Sequence, residues 1–239
     1  MEKGHIFFRI MNKKETFDDE FISHVTHELR TPVTLIKGFS QVIIEDDDMD
    51  EENKKDFIRI IYNESCRLSS MLDKLSQISK LDRKRIFIKK IHVDPVEFIR
   101  EILKKFQSQS EEKSISLQFN FCEPVSSVML DTEKMTVALE EILKDSFNVL
   151  SWNEKIEITI KFTATKFIIK IKDNGRGIPS EEIPFIFNKF YKVSSRPEDS
   201  GTGLGLTLAA KIIKCHRGTI KVKSNENKGT CFIITLPLM

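Results

Sequence analysis

Apolar residues recur at three- or four-residue spacing in two stretches of the first third of the chain. In the stretch from Glu15 to about Ile44 they are Phe17, Phe21, Val25, Leu29, Ile36 and Phe39. In the next stretch they are Phe57, Ile61, Leu68, Met71, Leu75 and Ile78. This spacing predicts two amphipathic helices, the second with the alternating steps of a heptad seam. Pro32 lies inside the first helix, where we expect a kink.

An acidic run, EDDDMDEE at residues 45–52, separates the two helices. A run of this composition predicts a loop at the tip of a helical hairpin. A two-helix hairpin is too thin to bury its own apolar stripe. Pairing of two copies into a four-helix bundle would bury it, so the stripe predicts a homodimer and gives no information about chemistry.

The periodicity changes after residue 82. Asp94 and Asp131 are expected N-caps of the helices DPVEFIREILKKF and DTEKMTVALEEILKDSFNVL. ISLQFN and SSVML predict strands, and the alternating segments KIEITIKF and KFIIKIKD predict a β-hairpin around Ala164 and Thr165. Two further helical stretches, one of them LGLTLAAKIIKCH, and two alternating runs, GTIKVKSN and GTCFIITLPL, complete the chain.

This order of elements predicts two domains. We expect a linker or N-terminal extension at residues 1–15 and an all-α hairpin, forming a dimeric four-helix bundle, at 16–82. Strands segregated from helices in mostly antiparallel order predict an α+β two-layer sandwich at residues 83–239.

The amino-acid composition argues against several classes of protein. Of the 239 residues, 40% are hydrophobic, which is enough to form buried cores and excludes disorder throughout. The formal net charge is only +2 and charged residues are spread along the chain, which argues against a nucleic-acid binder. Four scattered cysteines without a C-x-x-C pair indicate free thiols in a reducing compartment.

The early apolar stretch HIFFRIM is far shorter than the roughly 20 residues of a membrane span, and it lacks the features of a signal peptide. We therefore expect a cytoplasmic protein without a membrane segment in this sequence. The same stretch also fits the end of a linker from an upstream region, and the sequence leaves this open.

Three glycine-bearing segments lie in the second domain: DNGRGI, SGTGLGL and NKGTCF. SGTGLGL lacks the spacing and the lysine of a Walker loop, and it follows a polar loop where a dinucleotide-binding motif would follow a strand. A glycine loop that leads into a helix offers free backbone N–H groups to an anion such as a triphosphate. Asp173 ends a buried strand, and its carboxylate could accept a hydrogen bond from adenine or simply form an Asx turn.

The segment FISHVTHELRTPV places His24 and His27 on the same side of the first helix, with Glu28 directly after His27. His27 could be a metal ligand, a packed core residue or a nucleophile. The order H-x-x-H-E differs from the H-E-x-x-H of zinc proteases and no third ligand is near, so we interpret His24 as a packing or solvated residue. Neutral imidazole is nucleophilic near neutral pH, and a carboxylate can accept the proton of its other nitrogen.

In combination, these segments resemble the nucleotide-binding fold shared by gyrase, the MutL repair protein, the heat-shock chaperone ATPases and the sensor histidine kinases. DNGRGI is similar to the G1 box of that family, IPFIFNKFYKV to its F box, SGTGLGL to its G2 box and KGTCF to its terminal G box. The helix from Asp131 lies where the N box belongs. FISHVTHELRTPV resembles the H box, which only the kinase branch has. The resemblance covers nearly the whole chain from about residue 16.

The resemblance implies a protein histidine kinase that uses ATP and Mg²⁺. His27 would be the phosphoacceptor, Glu28 the general base, and Thr31 would orient water for dephosphorylation of a partner protein. A kink at Pro32 would let the helix bend between signalling states. His27 would pass its phosphoryl group to an aspartate of a response-regulator receiver domain. The expected partners are therefore a second copy of the chain and a response regulator, and not a nucleic acid.

The resemblance also implies a nucleotide site. Adenine would lie near Asp173 and Gly177, the phosphates near the glycine loop at 201–205, and residues 188–203 would form a mobile lid. The implied nucleotide-binding residues are Asp173, Gly175, Gly177, Ile178, Lys189, Tyr191, Lys192, Gly201, Thr202, Gly203, Leu204, Gly205, Leu206 and Thr230.

The N box departs from the family pattern, which is N-x-x-x-N-A followed by a basic and often an aromatic residue. Glu141 and Asp145 stand at the asparagine positions, and Asn148 and Val149 at the other two. The Asp145 carboxylate is still a hard oxygen ligand for Mg²⁺. It also repels the triphosphate, since unit charges about 4 Å apart interact by roughly 4 kcal/mol at an effective dielectric constant of 20. The basic residues that would compensate are Lys189, Lys192 and Arg196.

We therefore predict ATP binding and a histidine kinase activity that is weak if this N box impairs catalysis. One alternative is a degenerate kinase that acts as a dimeric scaffold. Another is an ATPase switch of the chaperone or repair type, with Glu141 activating water. The intact H box argues against both. Phosphorylation within one subunit or across the dimer depends on the handedness of the hairpin at 45–52.

Overall fold

The computed structural model describes residues 2–82, 87–193 and 201–238, and for residues 2–21 only the backbone. The chain divides into two compact units, Met1–Leu75 and Ser76–Met239, called here the first and the second unit. Across the described ranges, every helix is too short or too polar to cross a membrane.

Two long helices form the first unit. Helix α1 spans Glu2–Glu45, and helix α2 spans Glu51–Asp82 and ends beyond the boundary between the units. Asp50 caps α2, because its Oδ1 accepts hydrogen bonds from the backbone N–H groups of Glu52 (3.0 Å) and Asn53 (2.9 Å). The predicted helical hairpin with an acidic turn is confirmed.

Helix α1 continues through the buried Pro32 and begins before the predicted start at Glu15. Pro32 has no N–H group to donate to the carbonyl of Glu28 one turn earlier, so the helix lacks one hydrogen bond directly after the H-box histidine. Residues 2–15, which the sequence sets apart as a linker or extension, belong to the same helix. The domain boundaries at 15 and 82 stay predictions.

The first unit exposes a large apolar surface in the single chain. The exposed fraction is 75% for Ile44, 67% for Tyr62 and 60% for Ile22. Further exposed apolar residues of this unit are Val33, Leu35, Val42, Ile58 and Leu72. Burying such side chains against a partner is favourable by about 25 cal/mol per Å² of apolar surface. The predicted pairing of two hairpins would provide that partner.

The helices that the structure describes in the rest of the chain are α3 (Pro95–Lys104), α4 (Gln107–Glu112), α5 (Thr132–Val149) and α6 (Gly205–Cys215). Asp94 caps α3 by accepting a hydrogen bond from the N–H of Val96 at 2.8 Å. Asp131 caps α5 by accepting one from the N–H of Lys134 at 3.1 Å. Both predicted caps are confirmed.

The described strands are β1 (Ile91–Val93), β2 (Ser116–Phe121), β3 (Val128–Leu130), β4 (Lys155–Phe162), β5 (Lys166–Asp173), β6 (Thr219–Ser224) and β7 (Thr230–Pro237). β1 and β3 form a small antiparallel pair. The other five form one sheet in the order β2-β4-β5-β7-β6, in which only β2 and β4 are parallel neighbours.

One face of this sheet is buried. Alternating residues of β4, β5 and β7 point into the core, namely Ile156, Ile158, Ile160, Phe167, Ile169, Ile171, Phe232, Ile234 and Leu236. Helices α5 and α6 pack on each other and on the sheet, and their buried residues include Leu139, Ile142, Leu208 and Ile212. The predicted α+β two-layer sandwich is confirmed.

The second unit differs from the sequence prediction at two unpredicted elements and one predicted helix. β1 and α4 were not predicted, because segments of three and six residues are too short to show a period. Of the two predicted further helical stretches, only α6 forms among the described residues. Residues 180–190 consist of turns, since Pro184 lacks the N–H that a helix would use and Phe190 has φ = +61°.

Candidate functional site

His27 lies on α1 with its side chain 78% exposed. Its Nδ1 is 4.0 Å from Oε1 of Glu28, whose side chain is only 21% exposed. The hydroxyl of Thr31, one turn later, lies 3.5 Å from the carbonyl oxygen of His27, and His24 is exposed. The structure therefore excludes a packed core role for His27. It leaves Nε2, the nitrogen that does not approach Glu28, open to an incoming group.

Asp173 ends β5 with only 1% of its surface exposed. Its Oδ1 accepts hydrogen bonds from the N–H groups of Gly175 (3.1 Å) and Thr230 (3.0 Å). The contact with Gly175 is the Asx turn that the sequence allows as one interpretation. The contact with Thr230 joins the segment after β5 to the start of β7. The carboxylate is therefore held in one orientation at the end of a buried strand.

The loop after β5 closes on the turn between β6 and β7. Gly177 has φ = +72°, and a Cβ there would overlap the carbonyl oxygen of Asn225 and lie 2.7 Å from its carbonyl carbon. The N–H of Ile178 donates to the hydroxyl of Ser224 at 2.8 Å. Residues 173–178 and 224–230 thus form one packed corner, which explains why only glycine fits at position 177.

The glycine loop at 201–205 leads directly into α6. Thr202 and Leu204 are buried, and the carbonyl of Gly203 accepts a hydrogen bond from the N–H of Phe190 at 2.8 Å. Gly203 has φ = +67°, and a Cβ there would lie 2.6 Å from backbone atoms of Phe190. Leu206 is half-buried in the first turn of α6. Among the described residues, no side chain hydrogen-bonds as an N-cap to α6, and a helix start of this kind can bind an anion through its backbone N–H groups.

The predicted N box lies on α5 against this helix start. Glu141 is 6% exposed, and its Oε1 accepts a hydrogen bond from Nζ of Lys144 at 3.3 Å. A Cβ at Gly205 would overlap Oε2 of Glu141, so this carboxylate touches the first residue of α6. Asp145 lies one turn further along the same side of α5 and is half-buried, whereas Asn148 is exposed. Glu141 therefore lies at the helix start where the resemblance places the phosphates, and Asp145 follows one turn later on α5.

The predicted F box packs beneath the same helix. Thr207 of α6 donates a hydrogen bond to the carbonyl of Phe187 at 2.9 Å. The Tyr191 hydroxyl donates to Oε2 of Glu182 at 3.2 Å, and burial together with this carboxylate raises the pKa of Tyr191. Nζ of Lys189 lies 3.7 Å from Oδ2 of Asp82, and Lys192 is half-buried. Arg196 and the central part of the predicted lid, residues 194–200, lie outside the described residues.

Two family models match this chain. The His Kinase A (phospho-acceptor) domain matches residues 18–84, which include His27. The histidine kinase-, DNA gyrase B-, and HSP90-like ATPase family matches residues 130–239, which include the whole glycine-rich corner. The chain is a histidine kinase catalytic core.

Individual relatives agree with this assignment. The chain is similar to the sensor protein SrrB of Staphylococcus aureus, with 32% identity over 221 residues, 91% of this chain and 38% of SrrB. It is similar to histidine kinase ThkA in a complex with the response regulator protein TrrA, with a TM-score of 0.77, 27% identity and coverage of 92% of this chain and 61% of that chain. The Acinetobacter baumannii histidine kinase AdeS shares the fold, with a TM-score of 0.72, 24% identity and coverage of 89% and 98%.

Ser224 is a residue of this kinase core that the sequence did not reveal. Its hydroxyl accepts from the N–H of Ile178 (2.8 Å), donates to the carbonyl of Gly229 (3.0 Å) and lies 2.9 Å from the hydroxyl of Thr230. It therefore connects the G1 box to the terminal G box. A serine at the end of an alternating strand is too common to be a signal by itself.

His216 is the second residue that the sequence did not reveal. It is 1% exposed at the end of α6, and its Nε2 accepts a hydrogen bond from the backbone N–H of Asp131 at 3.0 Å. Its Nδ1 lies 2.9 Å from the carbonyl oxygen of Ile212, so the proton of the neutral ring is on Nδ1. Burial lowers the pKa of His216. The histidine joins the end of the G2-box helix to the start of the N-box helix.

Asp131 is buried next to His216 and carries a charge. Burial by itself would raise the pKa of Asp131, but hydrogen bonds from the side chain and backbone of Lys134 and from the backbone of Lys89 outweigh it and lower that pKa. The Asp131 carboxylate is therefore ionised at neutral pH and anchors the N-terminus of α5.

Proposed function

We propose that this chain is an ATP-dependent protein histidine kinase that phosphorylates itself on His27. The observation that carries the proposal is the exposed imidazole of His27 with the Glu28 carboxylate 4.0 Å from its Nδ1. A nucleophile for phosphoryl transfer has to be accessible, and its second nitrogen needs an acceptor for its proton. The match to the histidine kinase ATPase family supports ATP as the phosphoryl donor.

The chemistry follows from the orientation of the imidazole. Nε2 of neutral His27 attacks the γ-phosphorus of ATP, the bond from that phosphorus to the β,γ-bridging oxygen breaks, and ADP leaves. Positive charge develops on the ring and is relieved when Nδ1 gives its proton to Glu28. A base positioned in this way accelerates the reaction by on the order of 10²–10⁴-fold.

In this proposal, each part of the nucleotide contacts a different element of the second unit. Asp173 and Gly177 would contact adenine, and the first turn of α6 would receive the phosphates. The carboxylate oxygens of Asp145 suit Mg²⁺, and Glu141 beside it touches the same helix start. Bound Mg²⁺ would neutralise charge on the β- and γ-phosphates. Lys189, Tyr191 and Lys192 stay candidates for contacts at the edge of this site.

The partners follow from the first unit and from the relatives. The exposed apolar residues of α1 and α2, with Ile44 at 75%, support a homodimer through the hairpin. The solved complex of ThkA with TrrA supports a response regulator as the acceptor of the phosphoryl group. Thr31, one turn from His27, would orient water when the same surface dephosphorylates that regulator.

Labelling with γ-labelled Mg-ATP tests the kinase. We expect label that is acid-labile and base-stable, as a phosphorus–nitrogen bond requires, and no label in His27→Gln. His24→Gln is the matched control, because His24 is also exposed on α1 and should leave labelling unchanged. Label that persists in His27→Gln would place the acceptor elsewhere and contradict the proposal. ATP hydrolysis that survives His27→Gln without any label would indicate an ATPase switch using Glu141.

A degenerate kinase acting as a scaffold is the second candidate function. The observation that favours it is the pair of carboxylates on α5, Glu141 against the start of α6 and Asp145 one turn later. Both repel a triphosphate that carries no metal. A wild-type chain that forms dimers but takes no label would support this candidate.

The Asp145→Asn variant tests the charge argument on which the second candidate rests. We expect it to bind ATP about tenfold more tightly than wild type when Mg²⁺ is chelated, because a negative charge near the phosphates is removed. With Mg²⁺ present the gain should be smaller, since Asp145 then attracts the metal. Calorimetric titration of ATP with and without Mg²⁺ measures this.

Glu140→Gln is the control for the Asp145 experiment. Glu140 lies on the same helix, but Oε1 of its side chain pairs with Nζ of Lys105 at 2.7 Å, away from Glu141. The Glu140→Gln variant should therefore have the same ATP affinity as wild type. Equal gains in both variants would mean that net charge, and not the position of Asp145, controls nucleotide affinity.

A further inference from the structure

The outer face of the five-stranded sheet carries an unusual set of charges. The side chains that alternate with the buried ones along β4 and β5, and with the half-buried ones along β6, point away from the core. The only acidic residue among them is Glu157, which accepts a hydrogen bond from Asn120 at 3.0 Å. The basic ones form the lysine face: Lys155, Lys161, Lys166, Lys170, Lys172, Lys221 and Lys223.

The charge of this face contrasts with that of the chain. Seven lysines and one glutamate give a net charge of +6 on one side of one sheet, whereas the whole chain carries +2. Within the described ranges, none of the seven amino groups forms an ion pair with a carboxylate. The positive potential of the face is therefore not cancelled locally.

Strand register places four of these lysines in a regular array. Lys170 and Lys221 both pair with Ile233, and Lys172 and Lys223 both pair with Cys231. Neighbours along a strand are about 7 Å apart, and the two lysines in each row are about 10 Å apart across β7. The backbone positions of these four lysines therefore form a rectangle of about 7 by 10 Å on the sheet.

From this geometry we propose that the lysine face binds the surface of an anionic lipid bilayer. A bilayer presents many negative headgroups in a plane, and each lysine near such a surface strengthens binding about fivefold. A lysine carries a compact charge at the end of a flexible side chain. It can therefore follow mobile lipid headgroups, which do not require the bidentate hydrogen bonds that arginine makes. Lys172 and Lys223 directly precede the ATP corner in sequence, but Lys172 is exposed whereas Asp173 is buried on the other face of the sheet, and the proposal does not depend on kinase activity.

The composition of the face disfavours other anionic partners. Nucleic-acid surfaces use aromatic side chains for base stacking and arginines for phosphates, and the outward positions of these strands contain neither. Protein interfaces have an apolar core and are depleted in lysine. Here the half-buried apolar side chains between the lysines are only Ile168 and Ile233, with Cys231 beside them.

Vesicle co-sedimentation of the whole chain tests the proposal. The probes are phosphatidylcholine vesicles with and without a large fraction of phosphatidylglycerol. We expect binding only to the anionic vesicles and its loss as ionic strength rises to about 0.5 M, where charges are screened within a few ångströms. The variant with Lys170, Lys172, Lys221 and Lys223 replaced by glutamine should bind at least about 100-fold more weakly.

A charge-matched control uses exposed lysines away from the sheet. Replacing Lys37, Lys54, Lys55 and Lys80 by glutamine removes the same charge from α1 and α2 and should leave vesicle binding unchanged. Thermal unfolding and ATP titration show that both variants are folded. Absence of binding to anionic vesicles, or equal loss in both variants, would overturn the proposal. Binding to polyglutamate but not to anionic vesicles would also overturn it, in favour of an acidic protein partner.

Discussion

Replacing Gly177 by alanine is expected to weaken ATP binding at least about 100-fold while the sheet stays folded. The left-handed backbone conformation, with φ = +72°, costs a non-glycine residue about 1–2 kcal/mol. The new Cβ would also overlap the carbonyl oxygen of Asn225, a backbone atom that cannot rotate away. The turn between β6 and β7 must therefore move, and it carries the hydrogen bonds to Ile178 and Asp173.

Calorimetric titration with Mg-ATP measures this effect, and far-ultraviolet circular dichroism checks the fold. Gly38→Ala is the control, because nothing lies within 4 Å of a Cβ at that position of α1. It should leave ATP affinity unchanged and stabilise the helix by roughly 0.5–1 kcal/mol. If Gly177→Ala binds ATP as tightly as wild type, the corner between residues 173–178 and 224–230 is not the nucleotide site.

Replacing His216 by alanine is expected to lower the free energy of unfolding by about 3 kcal/mol at pH 7.5. The variant leaves the buried N–H of Asp131 without its acceptor, which costs about 1–3 kcal/mol, and it leaves a cavity where the ring packed. Urea unfolding followed by circular dichroism measures the difference. His92→Ala is the control, because His92 is exposed on β1.

The same residue makes stability depend on pH. Burial lowers the pKa of folded His216 below 6.5, so the unfolded chain takes up a proton first as the pH falls. This contribution to stability is complete above the unfolded pKa and is lost as the pH falls below it. The nearby Lys90 and Lys134 oppose a charged imidazole, and Asp131 favours it. Wild type should therefore lose more stability than His216→Gln between pH 7.5 and 5.5, and equal slopes would exclude His216 as the cause.

The sequence predicts those parts of the fold that follow from local rules. The caps Asp94 and Asp131, the β4–β5 hairpin and the alternation of Ile156, Ile158 and Ile160 need only neighbouring residues. The parallel pairing of β2 with β4 was not predicted, because it joins segments separated by α5. The second of the two further helical stretches does not form among the described residues, where the F box packs beneath α6 through turns.

The residues of the candidate site likewise fall into two groups: those that belong to a contiguous motif and those that act through a contact with a distant segment. The boxes are contiguous in sequence, so Asp173, Gly177 and His27 could be named from their motifs. Ser224 and His216 act through partners about 46 and 85 residues away, Ile178 and Asp131, and no pattern along the chain joins them. The contact between Glu141 and Gly205 likewise exists only because α5 and α6 pack together.

The strand order sets when this site can form during synthesis. β7 lies between β5 and β6, so in a nascent chain that lacks residues 230–237 the edge strand β6 has lost its neighbour and β5 has only β4 beside it. Asp173 at the end of β5 is then without the N–H of Thr230 that orients its carboxylate. A prematurely terminated chain that lacks β7 therefore has no complete corner between residues 173–178 and 224–230. Because of this strand order, the corner is completed only when the last strand of the sheet has been synthesised.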